Sequence, residues 1–324
     1  LAQRVQLVTT APGTSDVVAD ALLARGDVVA VEPDVQREFH AVPNDTSYDL
    51  QWAHAATNIE QAWDHSTGGG REGETRPLIA VVDSGVDATH PELAGTVVAS
   101  LRSASGVIVQ GQPKNDECGI AHGTAVAGVV GAAGNNGRGI TGALWNPRII
   151  DISLTSPLND CPRGPADSDA ITAMAYLSQL DEPPLAMNLS FGTSANECTA
   201  AYQAAIDQAR AAGIVVVSSA GNAQSNANSI PASCNGAISV GATGPDGTRA
   251  TYSQFNPYVD LSAPGGQARN CPNSLSELAS EAVLTTSLVD PKQYDLGTGC
   301  TPSLADPHGD RLEATQGTSF STPY

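Results

Sequence analysis

The chain has 324 residues, 41% of them hydrophobic and 15% charged, with a formal charge of −19 and a pI near 4.4. This suits one large globular domain, or one domain with a small appendage, and no stretch approaches the ~18 to 20 continuous apolar residues of a membrane span. Lys114 and Lys292 are the only lysines, and an acidic exterior repels phosphate backbones and anionic lipid, which argues against nucleic-acid and membrane partners.

In chain order, RVQLVTT (4–10) alternates like a strand, SDVVADALLARG (15–26) has a Ser N-cap, an apolar stripe and a closing Gly expected of a helix, and DVVAVEPDVQREF (27–39) reads as another strand. HAVPNDTSYD (40–49) is turn-rich and reads as a linker. From Arg76 the rhythm becomes strand–helix–strand. PLIAVVDSG, RIIDISLT, PLAMNLSFG, GIVVVSSAGN, AISVGATG and YVDLSAPG are apolar runs suited to buried parallel strands. GTAVAGVVGAAG, SDAITAMAYLSQL and CTAAYQAAIDQARAAG between them read as helices. The alternation predicts a doubly wound, mostly parallel α/β sheet with helices on both faces, whose functional groups collect at the carboxyl ends of the strands.

One such end carries Asp83, directly after LIAVV. A carboxylate there is costly unless paired. His122, at the start of the small-residue helix, is the candidate partner, and an aspartate that orients an imidazole is most of a nucleophilic triad. The third member should be a Ser on a tight turn into a helix. GTSFSTP supplies Ser319 after Gly317. Asn222 closes another strand end, so its amide and the Ser319 N–H are candidate oxyanion donors. Each residue alone has an ordinary reading: an N-cap, a structural histidine, a turn serine. The combination selects acyl transfer. An esterase or lipase would place its nucleophile in G-x-S-x-G and order the triad Ser, acid, His, unlike the Asp, His, Ser order here. GNNGRG lacks a following Lys-Ser/Thr, which argues against phosphate binding.

AVVDSGVDATHPEL, HGTAVAG and GTSFSTP, in that order, resemble the aspartate, histidine and serine motifs of the subtilisin-like serine peptidases (subtilases), and MNLSFG and SSAGN resemble the family's substrate-binding and oxyanion segments. The resemblance spans residues 43–324. It implies a secreted serine endopeptidase, made as a zymogen, that acts on protein or peptide substrates as a monomer. The alternative is a catalytically silent subtilase-like fragment or binding scaffold. The resemblance also implies that Ser190, Phe191 and Gly192 pair with substrate backbone as an added strand. Ser219, Ala220 and Gly221 would line the primary specificity pocket, leaving room for a large apolar side chain. Residues 1–40 resemble the second half of an inhibitory prosegment, a small α+β unit with VVAVEPD as its most telling piece. It is expected to be cleaved between Glu38 and Val42 from a catalytic domain spanning 41–324.

The cysteines are Cys118, Cys161, Cys198, Cys234, Cys271 and Cys300. They are even in number, widely spaced and without a C-x-x-C pair, which favours disulfides and an oxidising compartment but leaves the pairing open. Cys118–Cys161 and Cys198–Cys234 resemble bridges of secreted bacterial subtilases, and Cys271–Cys300 joins the remaining neighbours. The resemblance further implies a structural calcium held by Asp45, Glu92 and Asn136, with backbone carbonyls completing the shell; Glu92 stands where the family commonly has Asp. No cofactor is expected for catalysis. Ala125 replaces a second histidine that many relatives carry. The chain starts at Leu1 without Met or a secretory signal and stops at Tyr324, soon after Ser319, so it reads as a fragment or processed form. Ser319 is then expected on a frayed single turn, because short helices are marginal alone. The segment 266–316 is longer than the family's usual connection.

Overall fold

The computed structural model describes residues 6–33, 41–110, 122–154, 165–195, 197–267, 279–287, 304–305 and 311–324. The chain divides into two compact units, Leu1–Phe39 and His40–Tyr324. In the first, α1 (Ser15–Leu23) forms where the apolar stripe predicts it. Its N-cap is Thr14 and not Ser15, and none of its residues is buried. The flanking strands are not seen: residues 6–10 and 27–33 lack strand structure. A β-prone segment needs a partner ladder, and among the described residues none pairs with these.

The second unit begins with a 3₁₀ turn (Tyr48–Leu50) and two short helices, α2 (Trp52–Thr57) and α3 (Ile59–Trp63). Its centre is an 8-stranded sheet. The strands are β1 (Leu78–Asp83), β2 (Val97–Ala104), β3 (Val107–Gln110), β4 (Arg148–Ser153), β5 (Ala186–Leu189), β7 (Val215–Ser219), β9 (Ala237–Thr243) and β10 (Leu261–Pro264). Their spatial order is β10-β9-β7-β5-β1-β4-β2-β3. All neighbours are parallel except the β2–β3 hairpin at one edge. Two small sheets flank it: β6 (Thr193–Ser194) with β8 (Ser229–Ile230), and β11 (Val283–Thr286) with β13 (Arg311–Thr315) and β12 (Leu304–Ala305).

The sheet carries α5 (Asp167–Leu177) and α6 (Ala200–Ala211) over a core that includes Ala80, Val82, Ile152, Met174, Leu177 and Ile206. A second core joins Val81 and Ile149 to α4 (His122–Gly131) and to Phe320 of the final turn, α7 (Thr318–Ser321). Adjacent residues of β1 feed opposite cores, as a strand's two-residue period requires. Helix α4 is buried from Gly123 to Gly131, which explains its all-small composition. A Cβ on Gly123 would lie 2.4 Å from the Gly85 carbonyl oxygen, and one on Gly128 would lie 2.3 Å from Thr286 Oγ1. Strand order reverses at β1, with β4 on one side and β5 on the other. In an open α/β sheet, the crevice beyond the carboxyl end of such a strand is where ligands bind.

His54 of α2 is sealed among Tyr48, Trp63 and Tyr324, with its Nε2 2.9 Å from the Thr141 carbonyl. Burial pushes its pKa down to about 4 from 6.5, against the pull of that carbonyl. The unfolded chain therefore takes up a proton in a pH range where the folded chain refuses it, so stability falls as pH drops from 6.5 to 4. We expect a loss on the order of 3 kcal/mol across that window, read as the urea midpoint against pH, and a flatter profile in His54→Gln.

Candidate active site

Asp83 ends β1 with its side chain 3% exposed. His122 opens α4, and its Nδ1 lies 2.7 Å from Asp83 Oδ1. The carboxylate accepts from Nδ1–H, which leaves Nε2 as the basic nitrogen. The same Oδ1 accepts the Ser84 N–H at 2.6 Å. The loop after β1 is tied to α4 twice: Gly123 N–H donates to Ser84 Oγ at 2.9 Å, and Asp87 N–H donates to Thr124 Oγ1 at 2.9 Å. Burial lowers the affinity of His122 for a proton. The charge and hydrogen bond of Asp83, together with the charge of Glu313, outweigh it, and the pKa is raised.

Ser319 lies in α7, whose four residues are all buried. The expected fraying is not seen. Tertiary hydrogen bonds hold the turn, as is usual for a short helix in a folded protein. Gly317 precedes it at φ 152°, ψ 156°, a conformation open essentially to glycine. Ser190 Oγ, just past β5, donates to the Ser319 carbonyl at 2.8 Å and accepts from Asn188 Nδ2 at 2.8 Å. The Ser319 hydroxyl donates to the Ser190 carbonyl at 3.1 Å, and among the described residues no hydrogen bond joins it to His122. The two sites are neighbours all the same: α4 packs on α7, and the Phe320 and His122 rings lie 5.5 Å apart. Asn222 Oδ1 accepts from Thr318 N at 2.9 Å and from Thr318 Oγ1 at 2.8 Å. With its oxygen so anchored, the amide turns its Nδ2 to the Gly317 side, where a Cβ would meet it at 3.4 Å.

Ser190 is buried, Phe191 half-buried and Gly192 exposed, so the chain emerges to solvent directly beside Ser319. Ser219 and Ala220 are buried, and a Cβ on Gly221 would collide with the Gln254 side chain. Gln254 and Ser229, which crowds Gly192, thus add polar groups to this region. Their contacts span distant segments and leave no local signal. Thr318 stands inside the GTS motif, but its two hydrogen bonds to Asn222 also span distant segments.

Cys198 and Cys234 form a disulfide with Cα atoms 5.2 Å apart. Cys118, Cys161, Cys271 and Cys300 lie outside the described residues, as do most of segment 266–316 and residues 38–40 of the expected cleavage region.

Asp45, Glu92 and Asn136 do meet in one corner, but its chemistry does not fit a calcium shell. Asp45 accepts from the Asn135 and Asn136 backbone N–H groups at 2.7 and 3.2 Å and from Thr141 Oγ1 at 2.6 Å. Asn136 turns its NH₂ group, and not its oxygen, to Glu92 at 3.2 Å, and the Arg138 guanidinium lies 3.8 Å from Glu92 Oε1. Calcium needs six to eight converging oxygens, whereas this corner directs N–H and O–H donors at its carboxylates. Removing Arg138 would leave the fully buried Glu92 without a nearby guanidinium. We expect Arg138→Ala to destabilise the fold by roughly 1–3 kcal/mol and excess chelator to leave the wild-type melting temperature unchanged, both read by calorimetry.

Behind Asp83, on the adjacent strand, Asp151 is fully buried. Burial, with the Asp83 charge adding to it, raises its pKa well above 3.8. The folded chain thus keeps a proton that the unfolded chain loses above about pH 4, and stability falls as pH rises from there. Asp151→Asn should therefore raise the melting temperature more at pH 8 than at pH 4.

This arrangement on this sheet is that of a subtilisin-like fold. The Subtilase family model matches residues 74–324, and the chain belongs to that family. It is 32% identical over 286 residues to the "Extracellular protease" of Xanthomonas campestris pv. campestris, covering 78% of this chain and 47% of that protein. It is 33% identical over 254 residues to the "Thermophilic serine proteinase" of Bacillus sp. strain AK1, covering 78% and 59% respectively. The chain thus spans about half the length of these curated relatives. Among solved structures, a protease of Pseudoalteromonas arctica PAMC 21717 superposes with a TM-score of 0.67 at 30% identity, covering 87% of this chain and 84% of that one.

Proposed function

We propose that this chain carries the proteolytic domain of a secreted serine endopeptidase made as a zymogen. The observation that carries the reading is the 2.7 Å Asp83–His122 pair beside the buried turn that bears Ser319 and orients Asn222. A change in χ1 turns the Ser319 hydroxyl from the Ser190 carbonyl to His122. Its oxygen then attacks the scissile carbonyl carbon while Nε2 takes the proton, and Asp83 stabilises the resulting imidazolium. Asn222 Nδ2 and the Ser319 N–H receive the negative oxygen. The C–N bond breaks as His122 returns the proton to the amine, and water repeats the sequence on the acyl-enzyme. Substrate backbone adds as a strand along Ser190–Gly192, with a side chain directed to Ser219–Gly221. Residues 1–40 act as the remnant of the prosegment. Extracellular relatives and the Cys198–Cys234 bridge support an oxidising compartment.

The resting hydroxyl, turned to Ser190, favours one rival, a catalytically silent scaffold. A fluorophosphonate probe applied to the full-length protein separates the two. We expect covalent labelling in the wild type and none in Ser319→Ala, with the N-terminal segment released, by mass spectrometry, only in the wild type. Absent wild-type labelling would establish the scaffold. Asn222→Ala should lower kcat by about 10²–10³-fold with little change in KM.

A further inference from the structure

Glu313 is a carboxylate in the middle of β13, which leads directly into the Gly317–Ser319 turn. Its cross-strand partner is Thr285 of β11. The face of β11 that carries Thr285 lies against α4: Thr285 Oγ1 donates to the Ala125 carbonyl at 2.6 Å, and Val283, two residues earlier on the same face, packs in the core shared with α4. Directly opposed residues of an antiparallel pair project to the same face. Glu313 therefore stands on the face that meets the first turn of α4, the turn that begins at His122. Leu312 and Ala314 point the other way, into a separate apolar cluster. Arg311, on the Glu313 face, is committed to Asp87 at 3.0 Å. Ser287, directly after β11, hydrogen-bonds the Glu313 carboxylate. A negative group at a helix N-terminus is also favoured by the helix dipole.

The charged and titratable groups around His122 among the described residues are thus Asp83 from β1, with Asp151 behind it, Glu313 from β13, and the Arg311–Asp87 pair. We propose that Glu313 is a positioning residue for the hydrolytic histidine: from a second strand, its carboxylate stabilises the imidazolium that forms when Ser319 gives up its proton. The inference rests on the peptidase reading above and adds a group outside the triad. Burial raises the Glu313 pKa to about 7, with Ser287 and His122 pulling the other way, and the Glu313 charge in turn raises the His122 pKa, so the two protonations are coupled.

The test uses the full-length protein and measures kcat/KM against pH on a peptide substrate. Fluorophosphonate labelling of the wild type is read first. Failure at that step overturns the peptidase reading, which separates it from failure of this inference. In Glu313→Gln the acidic limb should move to lower pH by roughly half a unit or more, because a charge favouring imidazolium is lost. The kcat should fall several-fold with KM unchanged, and Glu313→Asp should recover most of it. A Gln variant whose profile superposes on the wild type overturns the proposal. If that variant does not fold, proton NMR of the wild type decides: the downfield proton on His122 Nδ1 should titrate in two coupled steps, and a single step overturns the proposal.

Discussion

A carboxylate buried at the end of β1 is the constraint on which the rest of the structure depends. Asp83 sits at the point where the strand order reverses, and an unpaired charge there would be strongly destabilising. His122 provides the partner. The imidazole can reach Asp83 only if the N-terminus of α4 lies directly against the loop after β1. That approach leaves no room for side chains, and Gly123 packs on the backbone of Gly85. The run of glycine, alanine and valine after the histidine is therefore a consequence of the pair it supports. Burying α4 on all sides then requires a cover, which β11 supplies through Thr285 and Thr286.

The same packing fixes the serine turn. Phe320 enters the core shared with α4, while Ser190 and Asn222 tie α7 to the ends of β5 and β7. Three strand ends and two helices thus converge on one crevice without any single local motif specifying the meeting point. The corner is also acidic. Asp151 and Glu313 are pushed above the usual carboxylate range by burial, and at Glu313 the neighbouring His122 works against that push.

Much of this was legible in the sequence. The apolar runs ending in DSG, SFG and SSAGN marked strands whose carboxyl ends carry polar groups, and the interleaved helices marked the parallel crossovers. The Asp83, His122 and Ser319 motifs stood out because their order is unusual in combination. The failures have separate causes. The β11–β13 sheet draws its stability from pairing between distant segments, which periodicity does not register, while the β2–β3 hairpin turns on Ser105–Gly106 without a patterned apolar run to mark it. The described part of RVQLVTT, residues 6–10, carries strand propensity but pairs with no ladder among the described residues. The family resemblance implied a calcium at Asp45, Glu92 and Asn136, whereas the donors of Asn135, Asn136 and Thr141 are directed at Asp45 once the chain folds. Glu313 left only a weak trace, a carboxylate two residues after Arg311 in the short strand just before GTS.

We propose that the buried Asp83–His122 pair, and not the serine turn alone, organises this crevice for acyl transfer. The most direct measurement is a crystal structure of the full-length protein carrying a phosphonate on Ser319. The account predicts a phosphoryl oxygen within about 3 Å of Asn222 Nδ2 and the Ser319 N–H, with the His122 ring still bonded to Asp83 through Nδ1. An imidazole swung away from Asp83, or an adduct oxygen that avoids both donors, would contradict it.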